Sequence, residues 1–136
     1  MNYLLDSNTI SEVYGTASSG HATISCHLGA LSDQDQVFMS IVTLYEFEYG
    51  WANAPDEKKT AIRQVIEDVQ TDFGMLRLSA ESAKVFGELK KIIKDSRSPF
   101  KDNIKKFNVD LMLAATAITA HCILVSAIAC MMLSQG

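Results

Sequence analysis

The sequence predicts an α/β domain in which a mainly parallel sheet is flanked by helices, and three observations lead to this fold class. Short apolar segments of strand length recur at residues 3–5, 37–41, 75–78 and 123–125. Segments with helical spacing of apolar residues separate them. Strands that alternate with helices are joined by right-handed crossovers, which makes neighbouring strands parallel. The length of 136 residues fits one compact domain over residues 1–136.

The helices are predicted from their capping residues and their apolar faces. Thr9 and Glu12 have the spacing of a capping box, so a first helix is predicted to begin at Thr9. Ser79 is predicted to cap a long helix that ends near Lys94, and Asn108 is predicted to begin the last helix. Further helices are predicted over residues 24–31, from residue 43 onward and over residues 57–71, with a loop over residues 96–107.

Composition and cysteine usage limit the class of protein. The hydrophobic share of 48% and the charged share of 21% are those of a globular domain and exclude intrinsic disorder. Cys26, Cys122 and Cys130 form no CxxC or Cys/His metal spacing, which indicates reduced thiols. The first residues lack the basic region and the long apolar run of a signal peptide. A cytoplasmic location is therefore expected.

A long uncharged run near the C-terminus leaves a membrane alternative open. Residues 111–133 carry no charged side chain and are enough to cross a bilayer as a helix. Lys105 and Lys106 precede the run, as in a tail-anchored protein. The run also divides at His121 and Cys122 into an alanine-rich part and a β-branched part. Because a buried helix followed by a buried strand gives the same pattern, we expect no membrane contact.

The charges are unevenly distributed along the chain. The net charge of −4 disfavours nucleic-acid binding in general. However, seven of the twelve basic residues lie between Lys90 and Lys106. A basic stretch of this kind can contact phosphates, so Lys101, Lys105 and Lys106 are candidates for binding the phosphates of a nucleic acid. The alternative is an ordinary solvated helix face and loop.

Three carboxylates are candidate metal ligands because of their places along the chain. Asp6 ends the first predicted strand, Glu46 follows the second, and Asp110 lies in the first turn of the last helix. In an open parallel sheet, ligands bind beyond the carboxyl ends of the strands. Carboxylates without a competing His/Cys set suit Mg²⁺ or Mn²⁺. As alternatives, Asp110 favours a helix dipole, Asp6 shapes a turn and Glu46 points outward.

Several motifs resemble those of VapC-type PIN domains, and they occur in the family's order. Residues 3–8, YLLDSN, together with Ser-Glu at 11–12, are similar to the first segment of domains in that family. Its second motif, Thr-Leu-x-Glu-Leu-x-x-Gly, resembles SIVTLYEFEYG at residues 40–50. Its third motif is similar to DLMLAATA at residues 110–117, and Leu-Val-Ser at 124–126 matches the strand before the fourth. The resemblance therefore covers nearly the whole chain.

The resemblance implies a PIN-like fold and a metal-dependent endoribonuclease that is the toxin of a VapBC-type toxin–antitoxin system. Asp6, Glu46 and Asp110 would hold Mg²⁺ or Mn²⁺, and Asn8 and Ser126 would support them by hydrogen bonds. The implied substrate is tRNA or another structured RNA. The implied partner is a VapB-like antitoxin whose C-terminal segment fills a groove, and a homodimer is expected.

The fourth motif departs from the family pattern. The family has an acidic residue shortly after Val125 and Ser126, where this chain has Ile128. The sequence from Ser126 reads SAIACMM and contains no acid up to its last residue. This departure predicts the loss of a second metal ion and reduced activity. It also favours the alternative of a non-catalytic or decayed PIN module that only binds its antitoxin.

Overall fold

A computed structural model of the protein describes residues 1–15, 20–96 and 107–126. Within these residues, four strands form one sheet in which every pairing is parallel. The strands are β1 (Asn2–Leu5), β2 (Gln36–Ser40), β3 (Gly74–Leu76) and β4 (Ile123–Val125). The order across the sheet is β3-β2-β1-β4. The predicted α/β class with a parallel sheet is therefore confirmed.

Six helices in the described residues connect and flank these strands. They are α1 (Ser7–Tyr14), α2 (His21–Gly29), α3 (Ile41–Asn53), α4 (Asp56–Asp72), α5 (Ala80–Asp95) and α6 (Asn108–Thr119). The predicted start of α6 at Asn108 is confirmed. The capping role of Ser79 at α5 is also confirmed, since its hydroxyl accepts the N–H of Ser82 at 3.0 Å.

Three helices begin at least two residues earlier than the sequence predicts, and one of them is α2, which begins at His21 instead of residue 24. The capping box at Thr9 and Glu12 is wrong, because α1 begins at Ser7 and Asp6 is its cap. An aspartate carboxylate is among the strongest N-caps, whereas Thr9 is buried inside the helix. Helix α3 begins at Ile41 instead of Thr43, because the hydroxyl of Ser40 accepts the N–H of Val42 at 3.1 Å.

The main hydrophobic core lies between the sheet and the helices α1 and α4. It is formed by Leu5 and Met39 from the strands, Ile10 from α1, Val69 from α4, and Phe73, which follows α4. These side chains are between 0% and 9% exposed. Burial of each such side chain contributes about 1.5–3 kcal/mol to folding. The core thus fixes α1 against the carboxyl half of β1 and β2.

The uncharged run divides into a helix and a strand, as predicted. Helix α6 ends at Thr119, and His121 has a φ of 56°, a left-handed conformation that turns the chain into β4. Four apolar side chains of α6 are buried: Leu111, Leu113, Ala115 and Ala117. Residues 127–133 lie outside the described part of the chain. Among the helices that the structure describes, none combines the length and the apolar character needed to span a membrane.

Candidate active site

The candidate site lies where the sheet reverses its strand order. From β1 the chain adds β2 and then β3 on one side, and it returns to place β4 on the other side of β1. In open α/β sheets, a crevice opens at the carboxyl ends of the strands at such a switch point. Asp6 directly follows β1, and its N–H donates to the carbonyl of Val125 in β4 at 3.1 Å. The switch point therefore lies between Asp6 and the end of β4.

Asp6 is held in place by its own helix. The residue has extended backbone angles, and its Oδ1 accepts the N–H of Thr9 at 2.8 Å as the N-cap of α1. A negative charge at this position is also favoured by the helix dipole. The hydroxyl of Thr9 in turn donates to the carbonyl of Val125 at 3.3 Å. Capping therefore fixes one oxygen of Asp6 at the end of the sheet.

Glu46 lies in the second turn of α3, on the helix that follows β2. Partial desolvation raises the pKa of Glu46, and a hydrogen bond donated by the Ser7 hydroxyl lowers it. The negative charges of Asp110 and Asp6 raise this pKa further, in that order. The side chain keeps solvent access, so the desolvation is incomplete. The carboxylate of Glu46 is thus directed toward the start of α1.

Asp110 lies in the first turn of α6. Two effects raise the pKa of Asp110: desolvation, which is the larger, and the negative charge of Asp6. A helix N-terminus favours a carboxylate, so the raised pKa means that burial and repulsion outweigh the dipole. The structure therefore brings Asp6, Glu46 and Asp110 close enough for their charges to repel one another.

The three carboxylates have no ion-pair partner among the residues that the structure describes. In residues 1–15, 20–96 and 107–126, no group of three or more His, Cys, Asp or Glu side chains is arranged closely enough to hold a metal ion. The carboxylates are therefore within electrostatic range but are not gathered around one point. A three-ligand metal site at Asp6, Glu46 and Asp110 stays a prediction.

The two predicted supporting residues lie at the same edge of the sheet. Asn8 is exposed in the first turn of α1, two residues after Asp6. Ser126 directly follows β4, next to the residue whose carbonyl accepts the N–H of Asp6. Their supporting hydrogen bonds stay a prediction. The candidate RNA-binding residues Lys101, Lys105 and Lys106 lie outside the described residues, as does Ile128.

The hydrogen bond from Ser7 to Glu46 was missed by sequence analysis. It joins the first residue of α1 to the second turn of α3, which are far apart along the chain. The only available signal was the place of Ser7 directly after Asp6. A short hydroxyl at this position reads equally well as part of a turn. Only the packing of α1 against α3 reveals the contact.

Fold and site together define an open α/β domain with an acidic cluster at its switch point. The sequence profile of the PIN domain matches residues 3–127, so the chain belongs to the PIN-domain family. No curated protein sequence matches the chain significantly.

Solved structures of other proteins contain chains of similar fold. VapBC2 from Rickettsia felis, bound to a DNA fragment from its promoter, matches with a TM-score of 0.70 and 17% identity over 93% of this chain and 98% of that chain. VapBC-1 from nontypeable Haemophilus influenzae matches with a TM-score of 0.71 and 21% identity over 91% and 84% of the two chains. FitAcB from Neisseria gonorrhoeae matches with a TM-score of 0.69 and 21% identity over 91% and 85%.

Proposed function

We propose that this protein is a metal-dependent endoribonuclease and the toxin of a VapBC-type toxin–antitoxin system. PIN domains are generally nucleases, and this chain belongs to that family. The observation that carries the proposal is the position of Asp6 at the switch point of the sheet, with Glu46 and Asp110 near enough for its charge to raise the pKa of both. Surrounding protein and neighbouring charges disfavour ionised carboxylates there, and a bound cation would reverse that penalty.

The residues present fit Mg²⁺ or Mn²⁺. All three side chains offer carboxylate oxygens, which hard divalent ions prefer. Mg²⁺ keeps several of its waters and needs only one or two protein carboxylates, so ligands that do not meet at one point still suit it. When bound, the ion would lower the pKa of a water molecule and neutralise charge on the phosphate. Asp6, Glu46 and Asp110 would hold it.

The chain's own residues supply orientation. N-capping of α1 positions the carboxylate of Asp6, and the Ser7 hydroxyl positions that of Glu46. Both contacts come from the first turn of α1, so a single helix end orients two of the three carboxylates. Asp110 joins them from α6, which packs its apolar residues into the domain.

Cleavage of RNA tests the nuclease proposal. Purified protein incubated with tRNA should release fragments in Mg²⁺ or Mn²⁺, and EDTA should stop the reaction. Asp110→Asn and Glu46→Gln should remove most cleavage, because each takes one negative ligand away. Glu48→Gln is the matched control on the same helix, since Glu48 pairs with Arg63 at 2.8 Å instead. Cleavage that survives in Asp110→Asn and in EDTA would contradict the proposal.

The antitoxin partner is proposed from a groove between α1, α3 and α4. The groove has a volume of about 380 Å³ and a largely apolar lining that includes Tyr14, Phe47, Ile62 and Val65, with Glu46 at its border. An antitoxin segment that fills it would cover one of the candidate ligands and block the site. One solved structure of similar fold is described as a toxin–antitoxin complex from Klebsiella pneumoniae, which supports an antitoxin partner. A small protein encoded upstream should co-purify with this chain and inhibit its nuclease activity.

A homodimer is part of the same proposal, and sedimentation of the purified protein measures it.

The second candidate function is a PIN module that binds its antitoxin without cleaving RNA. Ile128 favours it, because the family pattern has an acidic residue at that place. Co-purification with the antitoxin together with no cleavage in Mg²⁺ or Mn²⁺ would support this alternative.

A further inference from the structure

Two large aromatic side chains project into solvent from the helix that carries Glu46. Tyr45 and Tyr49 are 73% and 71% exposed, the most exposed of the large hydrophobic side chains in the described residues. They are four residues apart and therefore occupy one face of α3. Such exposure brings no stability to the fold, because apolar ring surface stays in water. The pair therefore calls for a role outside the core.

The tyrosine face borders the candidate active site. Glu46 precedes Tyr49 by three residues, so its side chain is the neighbour of Tyr49 on the helix surface, and Tyr49 in turn is the neighbour of Tyr45. The antitoxin groove lies on the other side of Glu46, where Phe47 and Gly50 line it. Glu46 thus separates an apolar groove from an exposed aromatic face. A chain that passes the carboxylates can reach the two tyrosine rings.

The charge of the site gives these rings a function. Proteins bind RNA mainly through lysine and arginine side chains that contact its phosphates. Asp6, Glu46 and Asp110 are negatively charged and repel phosphates. Among the described residues, no cation pairs with these three carboxylates. Bases carry no charge, and their stacking on aromatic rings gives affinity that an acidic site does not weaken. Tyrosines beside the carboxylates can hold RNA there without neutralising the cluster.

We propose that Tyr45 and Tyr49 form a stacking platform for unpaired bases of RNA next to the phosphate that is cleaved. The proposal rests on the proposed nuclease function and specifies its substrate. Bases inside a duplex are stacked on one another and cannot lie on protein rings, whereas bases of loops and single strands can. The site therefore takes single-stranded segments, such as the loops of a structured RNA, and discriminates against continuous duplex.

Binding without cleavage tests the platform. In an Asp110→Asn background with Mg²⁺ present, a fluorescent, unstructured RNA oligonucleotide is titrated with protein, and a duplex of equal length serves as competitor. The double variant Tyr45→Leu/Tyr49→Leu removes both rings and keeps residues that favour helix. Its affinity for the single strand should fall by roughly tenfold or more, since each stacked base contributes that order of effect. Tyr45→Phe/Tyr49→Phe keeps the rings and should retain binding.

Two further measurements make the test specific for stacking. An oligonucleotide that contains 2-aminopurine should lose fluorescence on binding to the parent and to the Phe variant, but not to the Leu variant. Ile92→Ala is the control, because Ile92 is 64% exposed and lies on α5 instead of on α3. It should change neither affinity nor fluorescence. Circular dichroism and thermal melting establish that each variant is folded.

Three results would overturn the platform. The first is unchanged binding by the Leu variant. The second is equal loss in the Phe variant, which would assign the effect to the hydroxyl groups. The third is conversion of a dimer to a monomer in the Leu variant, which would make the tyrosine face an interface between copies. If the wild-type protein neither binds nor cleaves RNA, the proposed function fails first; RNA cleavage with an inert tyrosine pair rejects the platform alone.

Discussion

The N–H of Asp6 donates to the carbonyl of Val125 at 3.1 Å, which ties the candidate ligand at the end of β1 to the last residue of β4. The buried hydroxyl of Thr9 donates to the same carbonyl at 3.3 Å. One carbonyl thus links the cap of α1, the first turn of that helix and the strand before Ser126. Loss of one of these hydrogen bonds should therefore disturb the candidate site more than the rest of the fold.

Thr9→Val tests the junction. Valine has the same shape but no hydroxyl, so the variant loses one hydrogen bond and keeps the packing. The expected cost is about 0.5–1.5 kcal/mol in the free energy of unfolding, measured by urea denaturation. Because the Asp6 cap remains, RNA cleavage should fall by less than in Asp110→Asn. A stability equal to that of the wild type would mean that the Thr9 hydroxyl contributes nothing.

The repulsion within the carboxylate cluster predicts an unusual effect of charge removal. A raised folded-state pKa at Glu46 and Asp110 means that their stabilising contribution is present below the unfolded pKa of about 4 and is lost as pH rises through the raised values. At neutral pH without metal, Asp110→Asn and Glu46→Gln should therefore raise the melting temperature. Addition of Mg²⁺ should stabilise the wild type and have a much smaller effect on Asp110→Asn.

Glu48 on the same helix provides the control of opposite sign. The Arg63 guanidinium lowers the pKa of Glu48 through a hydrogen bond and its charge. Its stabilising contribution is present above the unfolded pKa and is lost as pH falls through the lowered value. Glu48→Gln should therefore lower the melting temperature at neutral pH, slightly, because the pair is exposed. If all three substitutions shifted stability in the same direction, the electrostatic account of the cluster would be wrong.

The sequence predicted the strands well because buried parallel strands appear as short apolar runs with helices between them. It predicted the starts of α1 and α3 poorly, because Asp6 and Ser40 cap these helices and each begins two residues earlier than predicted. The acidic residues were proposed as candidate ligands from their motifs and their places after strands, and that assignment stays a prediction. The Ser7 contact with Glu46 depends on how two distant helices pack, and no local pattern encodes that. The exposure of Tyr45 could not be predicted from the sequence pattern either.

The basic segment between Lys90 and Lys106 provides the next prediction. Replacing Lys101, Lys105 and Lys106 with Ala should weaken RNA binding, because phosphates repelled by the carboxylates need cations elsewhere. The dependence of log affinity on log salt should flatten by up to about 0.7 per lysine that contacts a single strand. Lys58→Ala/Lys84→Ala removes exposed lysines from α4 and α5 and should leave the slope unchanged. If the triple variant has the same slope as the wild type, the three lysines are ordinary solvated charges that do not contact RNA.

The last prediction concerns Ile128, which stands where the family pattern has an acidic residue. Hard divalent ions are held mainly by negative charge, so a cluster of three carboxylates binds them less tightly than a cluster of four. One ion can still be held, because Mg²⁺ needs few protein ligands, and a second ion is the expected loss.

Ile128→Asp should therefore increase RNA cleavage and lower the Mg²⁺ or Mn²⁺ concentration needed for half-maximal rate. Ile128→Asn is the matched control, since it adds a polar side chain of the same length without the charge. If a serine hydroxyl, a backbone carbonyl or water already fills the position, the two variants should behave alike. If the parent and Ile128→Asp have equal cleavage rates and equal metal requirements, the absence of an acidic residue at position 128 does not reduce activity. The three carboxylates would then account for the whole activity of the PIN domain.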